Sequence, residues 1–176
     1  MIYDKKYHSS FNDTDYPSIA QMMSLPFKNF YDVKNTNKDI IDEALGFYQQ
    51  AMDADTYLIH GDADRTLIYL FLFITECCKC CLYAKDALTA WERLRLLVDE
   101  KILPIPGDVG FPFNAYYGRP KNAREKYFLR SYLMQLEQEC IERFFMIVYK
   151  NTDDPREDWL SFGKQTFLGH HFKLNA

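Results

Sequence analysis

Apolar residues recur at helical spacing along most of the chain, and polar capping residues precede several of these stretches. A hydrophobic position every three to four residues is the pattern of an amphipathic helix packed on a core. Five helices are predicted: from near Asn37 to about Ala54, from Asp62 or Asp64 through Ala84, from about Ala87 to Glu100, from about Ala123 to Tyr149, and from Asp154 onward. The pattern therefore predicts an all-α fold.

The second predicted helix has no polar face over two turns. Residues 67–74 are an uninterrupted run of eight apolar side chains. A helix that is apolar all round must be buried on all sides. Such a run also suits a buried strand, but the aspartates before it and the continuation to Ala84 favour a helix. We therefore predict one central apolar helix surrounded by the other helices.

Two stretches lack helical periodicity. Residues 1–36 contain Pro17, Pro26 and many polar side chains, which predicts an extended N-terminal arm lying along the body. Residues 103–113 contain three prolines and two glycines, which predicts an ordered apolar loop. We predict a single domain, 1–176, made of the arm 1–36, a helical body 37–168 and a C-terminal tail 169–176. In that tail His170 and His171 are expected to be solvated.

Two helices carry specific expectations about which side chains are exposed. In the fourth helix, Glu139 and Arg143 are spaced as an i,i+4 ion pair and are expected on the solvent side. In the fifth helix, Asp154 is the expected N-cap, followed by Pro155 and by Glu157 in a capping-box arrangement. The third helix is expected to bury one face, formed by Leu88, Trp91, Leu94 and Val98.

Composition and charge narrow the class of protein. The net charge is −4 and the pI is near 5.6, which speaks against a nucleic-acid-binding protein. The longest apolar run is far below the ~20 residues that span a bilayer, and the first residues lack a secretory signal. We therefore expect a cytoplasmic protein with reduced thiols and without membrane insertion. Aromatic residues, at 16%, are abundant enough to suit either a rigid core or a large protein–protein interface.

The cysteines of the run Cys77-Cys78-Lys79-Cys80-Cys81 suggest a possible metal or thiol site. On a helix some of them share a face, but a zinc site draws its ligands from two separated pairs. Buried free cysteines also pack as small hydrophobic residues. Packing in the core is therefore the preferred interpretation, and a thiol- or metal-binding protein using Cys77 to Cys81 is the alternative.

No other motif predicts catalysis or a cofactor. The four histidines form no metalloprotease or triad-like spacing. The segment Gly61-Asp62-Ala63-Asp64-Arg65-Thr66 lacks the lysine of a phosphate-binding loop, and Leu67 and Phe73 occupy the positions that a calcium loop gives to Gly and Glu. It is better explained as a helix start. We therefore predict a protein that is not an enzyme and has no catalytic residues, cofactor or metal.

Four aromatic residues lie within the seven positions 111–117, a non-helical segment that begins inside the proline-rich loop. They are Phe111, Phe113, Tyr116 and Tyr117. Aromatic side chains in a non-helical segment anchor either the protein's own core or a partner protein. We predict that these four residues are structural or interface anchors, and the sequence leaves both roles open.

Several stretches together resemble one family, the 21 kDa subunit (subunit 3) of the actin-related protein 2/3 complex. Their order and spacing, more than any single one, make the resemblance specific. They are Tyr7-His8-Ser9-Ser10, Asp39-Ile40-Ile41-Asp42-Glu43-Ala44, Ala63-Asp64-Arg65-Thr66-Leu67-Ile68-Tyr69, Pro104-Ile105-Pro106-Gly107-Asp108-Val109-Gly110-Phe111-Pro112-Phe113-Asn114-Ala115, Tyr132-Leu133-Met134-Gln135-Leu136-Glu137-Gln138-Glu139, and Trp159 with Phe162, Lys164 and Phe167.

The resemblance implies an all-helical fold with one enclosed helix, and a non-catalytic structural role. It implies a seven-subunit complex with two actin-related proteins that nucleates a daughter filament from the side of a mother filament. In that complex the subunit would contact actin-related protein 3 and lie near the mother actin filament, in the actin cytoskeleton of the cell cortex and protrusions. ATP binding would belong to the actin-related subunits.

Overall fold

The computed structural model describes residues 7–29, 34–100 and 103–173. A short antiparallel hairpin of β1 (Ser18–Ile19) and β2 (Met22–Met23) pairs Ser18 with Met23 and Ile19 with Met22. The fold is therefore mostly helical, and the hairpin makes the prediction of an all-α fold too strict. Five α-helices follow the hairpin: α1 (Ile40–Met52), α2 (Asp62–Leu82), α3 (Ala87–Asp99), α4 (Ala123–Tyr149) and α5 (Glu157–Leu160). Two 3-10 turns, Ser10–Asp13 and Ser161–Lys164, complete the described elements.

Short polar side chains set the starts of three helices. Asp39 caps α1 and forms a capping box with Asp42, so this helix begins slightly later than the Asn37 start predicted. Asp86 caps α3 by accepting a hydrogen bond from the Thr89 N–H at 2.8 Å, and Asn122 caps α4. These side chains satisfy backbone N–H groups that have no partner inside the helix.

Helix α2 is buried along most of its length. Every residue at positions 66–78 is buried, and the helix packs against α1, α3, α4, β2, α5 and the Ser161–Lys164 turn. The turn approaches very closely, because a Cβ added to Gly163 would lie 3.0 Å from the backbone carbonyl carbon of Cys78. Gly163 therefore permits close packing. None of the helices among the described residues has the length and apolar character needed to cross a membrane.

The start of α5 corrects the prediction of a capping box at Asp154. The helix begins at Glu157 after Arg156, whose backbone N–H donates to the Val148 carbonyl at 2.8 Å. The chain reverses direction directly after α4, where Lys150 and Asn151 have φ of 45° and 64°. This tight return keeps the backbone of Asp154 outside the helix, and α5 is a single turn that runs into the Ser161–Lys164 turn.

Two expectations about the long helices are also wrong. Leu88 is exposed, because α3 packs against both α2 and α4 and buries Ala90, Leu94, Leu97 and Val98 instead. Glu139 and Arg143 do form an ion pair, at 3.2 Å, but both are buried. Arg143 also pairs with Asp39 at 2.7 Å, so α4 and the start of α1 enclose the pair together.

The end of the chain is packed more closely than a solvated tail. His170 and His171 are exposed as expected, but Phe172 is buried. The Lys173 N–H donates to the Gly110 carbonyl at 3.1 Å, which ties this segment to the proline-rich loop. The rest of the predicted tail, 174–176, and parts of the predicted arm, 1–6 and 30–33, lie outside the described residues.

Candidate protein interface

Two buried carboxylates fasten the N-terminal arm to the helices. Glu43 of α1 accepts hydrogen bonds from the Ser9 hydroxyl at 2.8 Å, the Ser10 N–H at 2.9 Å and the Ser10 hydroxyl. Asp64 of α2 accepts from the Ser9 N–H at 2.8 Å and lies 2.7 Å from Nδ1 of His8. Several donors per carboxylate replace the water that each group loses on burial. The arm therefore lies along the body at these residues.

Arg65 joins the hairpin to the aromatic loop. Its Nε donates to the Tyr116 carbonyl at 2.6 Å, and its Nη1 donates to the Gln21 carbonyl at 3.3 Å. The hairpin turn places Ala20 and Gln21 at φ of 56° and 59°, a region that non-glycine residues rarely adopt. The Gly118 N–H also donates to the Ala20 carbonyl, at 2.9 Å. These bonds offset the cost of the turn and fix the loop's position.

The four aromatic residues singled out in the sequence have different environments. Phe111, Phe113 and Tyr117 are buried in the chain's own core, where Tyr117 donates to the Arg65 carbonyl. Phe111 stacks on Tyr69 of α2 with ring centroids 6.4 Å apart. Tyr116 instead is 60% exposed. Three of the four residues thus anchor the loop internally, and among the four only Tyr116 leaves a large aromatic surface exposed.

A cleft of about 570 Å³ opens beside Tyr116. Leu58, on the segment between α1 and α2, also lines this cleft and is 61% exposed. Leu58 was not predicted as an interface residue, although it lies between the half-buried residues Tyr57 and Ile59 in the alternation of an extended segment. The other apolar lining residues include Ile59, Ile68, Phe113 and Leu168. The cleft thus combines exposed apolar side chains with polar and charged ones, among them Gln21, Asp55 and Arg65.

The cysteine cluster lies in the core, as the preferred interpretation predicted. Cys77, Cys78 and Cys81 are buried, and Cys80 is half-buried. Burial raises the pKa of Cys80 to about 11 and that of Cys81 to about 12. Burial also raises the pKa of Cys77 well above its ordinary value. These groups are therefore held as thiols, which are far weaker nucleophiles than thiolates.

A cluster of metal-ligand type occurs elsewhere. Among residues 7–29, 34–100 and 103–173 it is formed by His8, His60 and Asp64. The Asp64 carboxylate already accepts hydrogen bonds from the His60 backbone N–H at 2.9 Å and from the Asn12 side-chain amide at 2.8 Å, besides those from His8 and Ser9. The two imidazole rings are stacked, 3.6 Å apart at 16°, so their in-plane lone pairs do not converge on one ion. The cluster is better explained as the fastening of the arm.

Three of the stretches that carry the family resemblance meet in space where the N-terminal arm is held by Glu43 and Asp64. Residues 7–10 contact the carboxylates supplied by residues 39–44 and 63–69, which lie at the starts of α1 and α2. The stretch 104–115 supplies the two buried phenylalanines of the loop. A sequence model of the family described as P21-Arc, the ARP2/3 complex ARPC3 (21 kDa) subunit, matches residues 5–172.

The chain belongs to this ARP2/3 complex 21 kDa subunit family. It is 36% identical over 171 residues to actin-related protein 2/3 complex subunit 3 of Schizosaccharomyces pombe, covering 92% of this chain and 96% of the relative. It is 34% identical over 170 residues to the probable subunit 3 of Caenorhabditis elegans, covering 92% of both chains. The Arabidopsis thaliana subunit 3 is 30% identical over 168 residues, covering 92% of this chain and 96% of the relative.

Membership of the 21 kDa subunit family bears directly on function. The family and these relatives are named as subunits of a complex, which confirms the expectation of a non-catalytic component. The surface features of the chain, rather than an active site, are therefore the candidates for its function.

Proposed function

We propose that this chain is a non-catalytic structural subunit of the actin-related protein 2/3 complex that supports actin filament nucleation and branching. Membership of the 21 kDa subunit family and 30–36% identity to proteins named as subunit 3 support this role. In the proposed assembly the chain contacts actin-related protein 3 and the other subunits and lies near the mother filament. Its location is then the cytoplasmic actin cytoskeleton, including the cell cortex and protrusions.

The cleft beside Tyr116 is the proposed contact with actin-related protein 3. Tyr116 and Leu58 are 60% and 61% exposed on the same cleft, and this observation carries the proposal. Burying a large apolar side chain completely stabilises a structure by about 1.5–3 kcal/mol, and aromatic residues at the centre of an interface dominate its affinity. Both side chains gain this energy only if a partner covers them.

The backbone around the cleft is fixed before a partner binds. Arg65 holds the Tyr116 carbonyl at 2.6 Å, and Phe113, next to the same loop segment, is buried in the core. Phe113 also makes an edge-to-face contact with Phe167, with ring centroids 6.1 Å apart, and this contact links the two sides of the cleft. A preformed surface loses less conformational entropy on binding than a mobile one. Rigidity therefore supports an interface role for this surface.

Copurification tests the proposal. A tagged chain is expected to recover the other six subunits in near-equal amounts, and Tyr116→Ala with Leu58→Ser is expected to lower that recovery at least about tenfold. The matched control is Tyr83→Ala, because Tyr83 is 70% exposed at the end of α2 and does not line the cleft. Recovery of the tagged wild-type chain as a free monomer in mild salt would overturn the role in the complex. Normal recovery of the double variant would overturn the cleft as the contact.

The buried aromatic residues need a different assay. Phe111→Ala and Phe113→Ala remove core side chains, and a loss of about 3–5 kcal/mol of unfolding free energy is expected for each. Reduced incorporation of these variants would therefore report unfolding as well as contact. Circular dichroism of each variant at the copurification temperature separates the two effects. Tyr116→Ala is expected to keep the wild-type melting temperature.

A further inference from the structure

A groove with an exposed apolar stretch lies between α3 and α4. Trp91, early in α3, contacts Phe145, late in α4, with ring centroids 5.2 Å apart. The Ala87 N–H, at the start of α3, donates to the Asp153 carboxylate just after α4, at 3.3 Å, so the two helices run in opposite directions. Both rings are half-buried, and Leu88, one helical turn before Trp91, is 66% exposed. The groove therefore leaves an apolar stretch open to solvent.

An acidic cavity of about 330 Å³ continues this groove beside Trp91. Its lining includes two carboxylates, Asp99 and Glu142, and one cation, Arg95. Arg95 lies 3.9 Å from Asp99, and both side chains are exposed, so solvent weakens this ion pair. Glu142 forms no ion pair within residues 7–29, 34–100 and 103–173. The described part of the cavity therefore carries excess negative charge.

The end of α3 adds to this negative charge. The helix ends at Asp99, is followed by Glu100 as its C-cap and has no basic residue in its last turn. The C-terminus of a helix carries a partial negative charge, so carboxylates there are unfavourable and cations are favourable. Residues that break local rules in this way are characteristic of functional sites.

The α3–α4 groove is defined by Leu88, Trp91, Asp99, Glu142 and Phe145. We propose that it docks a helix of another protein that presents Lys or Arg side chains beside an apolar face. The cations would pair with Asp99 and Glu142 at the negative end of α3, and the apolar face would cover Leu88 and the two rings.

Charge complementarity distinguishes this occupant from others. A nucleic acid or an anionic membrane would be repelled by the carboxylates of the groove, and a second copy of the chain would bring the same excess of carboxylates to the contact. The groove shares no residue with the lining of the cleft beside Tyr116. The inference therefore goes beyond the proposed contact at the cleft.

The test uses the full chain and a defined helical probe. The probe is a fluorescent peptide with leucines along one face and lysines beside them, and anisotropy follows its binding. The variant Asp99→Lys with Glu142→Lys is expected to bind this peptide at least about tenfold more weakly than the wild type, since two attractive contacts become repulsive. A peptide with glutamates in place of the lysines is expected to prefer this variant to the wild type. Leu88→Ser is expected to weaken binding of the lysine peptide about fivefold.

Fluorine NMR locates the bound peptide on the chain. The chain has two tryptophans, Trp91 in the groove and Trp159, which is buried in the core. Labelling with fluorotryptophan therefore gives one signal from each environment. The lysine peptide is expected to shift the Trp91 signal and to leave the Trp159 signal unchanged. An unchanged Trp159 signal in each variant also shows that its core remains folded.

Controls separate the groove from general effects of charge and apolar surface. Asp13→Lys with Asp15→Lys makes the same change of charge at exposed positions of the N-terminal arm. Leu96→Ser changes a leucine that is 52% exposed on another face of α3. Both control variants are expected to bind the lysine peptide as the wild type does.

Several results would overturn the proposal. One is equal binding of the lysine peptide by the wild type and the groove variant, and another is a loss in a control variant as large as in its groove counterpart. A third is a shift of the Trp159 signal instead of the Trp91 signal. Tighter binding of phosphatidylserine vesicles or single-stranded DNA than of the peptide would also overturn it, as would a Trp91 shift that grows with chain concentration in the absence of peptide.

Discussion

Glu137 is a buried carboxyl group that the fold holds near its titration midpoint at neutral pH. It lies on α4, and its side chain accepts one hydrogen bond within the described residues, from the Tyr69 hydroxyl of α2. The buried carboxylates Glu43 and Asp64 each accept several. Burial raises the pKa of Glu137 to about 7, although the Tyr69 hydroxyl and the Arg130 charge partly oppose the rise.

This pKa determines the size and the sign of the contribution that Glu137 makes to the pH dependence of the unfolding free energy. The ordinary value is 4.5 and the value in the folded protein is about 7, and each pKa unit corresponds to about 1.4 kcal/mol, so the shift is worth ~3 kcal/mol. Since the folded state disfavours the charged form, the unfolding free energy falls as pH rises from the unfolded pKa through the folded one. The destabilisation of the folded protein is absent below pH 4.5 and complete above about pH 7.

Replacement of Glu137 by Gln keeps the acceptor for Tyr69 and removes the charge. Urea unfolding of the wild-type chain and of Glu137→Gln, at several values between about pH 5 and about pH 8, measures the difference in unfolding free energy. The variant is expected to gain up to ~3 kcal/mol at the highest pH and little at the lowest. Glu92→Gln, an exposed carboxyl on α3, is the control and is expected to be neutral. A pH-independent difference between wild type and variant would refute the reasoning.

Three further predictions follow from the packing. Gly163→Ala is expected to destabilise the fold by about 1–3 kcal/mol in thermal melts, because the added Cβ would lie 3.0 Å from the Cys78 backbone. Gly46→Ala is the comparison: an added Cβ at this position of α1 meets no atom within 4 Å, so this variant is expected to stabilise the fold by up to ~1 kcal/mol. Asp64→Asn is expected to lower the unfolding free energy by about 1–3 kcal/mol and to make the N-terminal arm sensitive to limited proteolysis. An arm that stays protected in this variant would contradict the role of Asp64 in holding the arm on the body. In the native chain the half-buried Cys80 is expected to react slowly with a thiol reagent and the four buried cysteines not at all, whereas all five react after unfolding. Stoichiometric metal in elemental analysis would revive the alternative of a metal-binding protein.

Helix existence was predictable from the sequence, but helix ends were less so. The apolar spacing located α1 to α4 because a buried helix face repeats every three to four residues whatever packs against it. The start of α5 was wrong because Asp154-Pro155 carries a good local capping signal that the return of the chain after α4 overrides. The two-residue strands of the hairpin, around Ala20 and Gln21, are too short to produce a detectable alternation.

The candidate site was only partly predictable for a related reason. The sequence marked four aromatic residues, and it could not separate Tyr116 from Phe111, Phe113 and Tyr117, because burial depends on which distant elements cover each ring. Leu58 lies on the same cleft as Tyr116, and His8 contacts Asp64, and in both cases the two residues are far apart in sequence. No local pattern encodes such pairs.

The sequence by itself determined that the chain is mostly helical, that its cysteines suit a core and that it resembles the 21 kDa subunit family. Each of these follows from local periodicity, residue chemistry or the order of motifs along the chain. Only the tertiary structure decided which exposed side chains meet at one cleft, which face of α3 is buried, and that Glu139 and Arg143 form a buried pair. Those features depend on the packing of elements that are distant in sequence, and packing energy is a property of pairs of surfaces rather than of single segments.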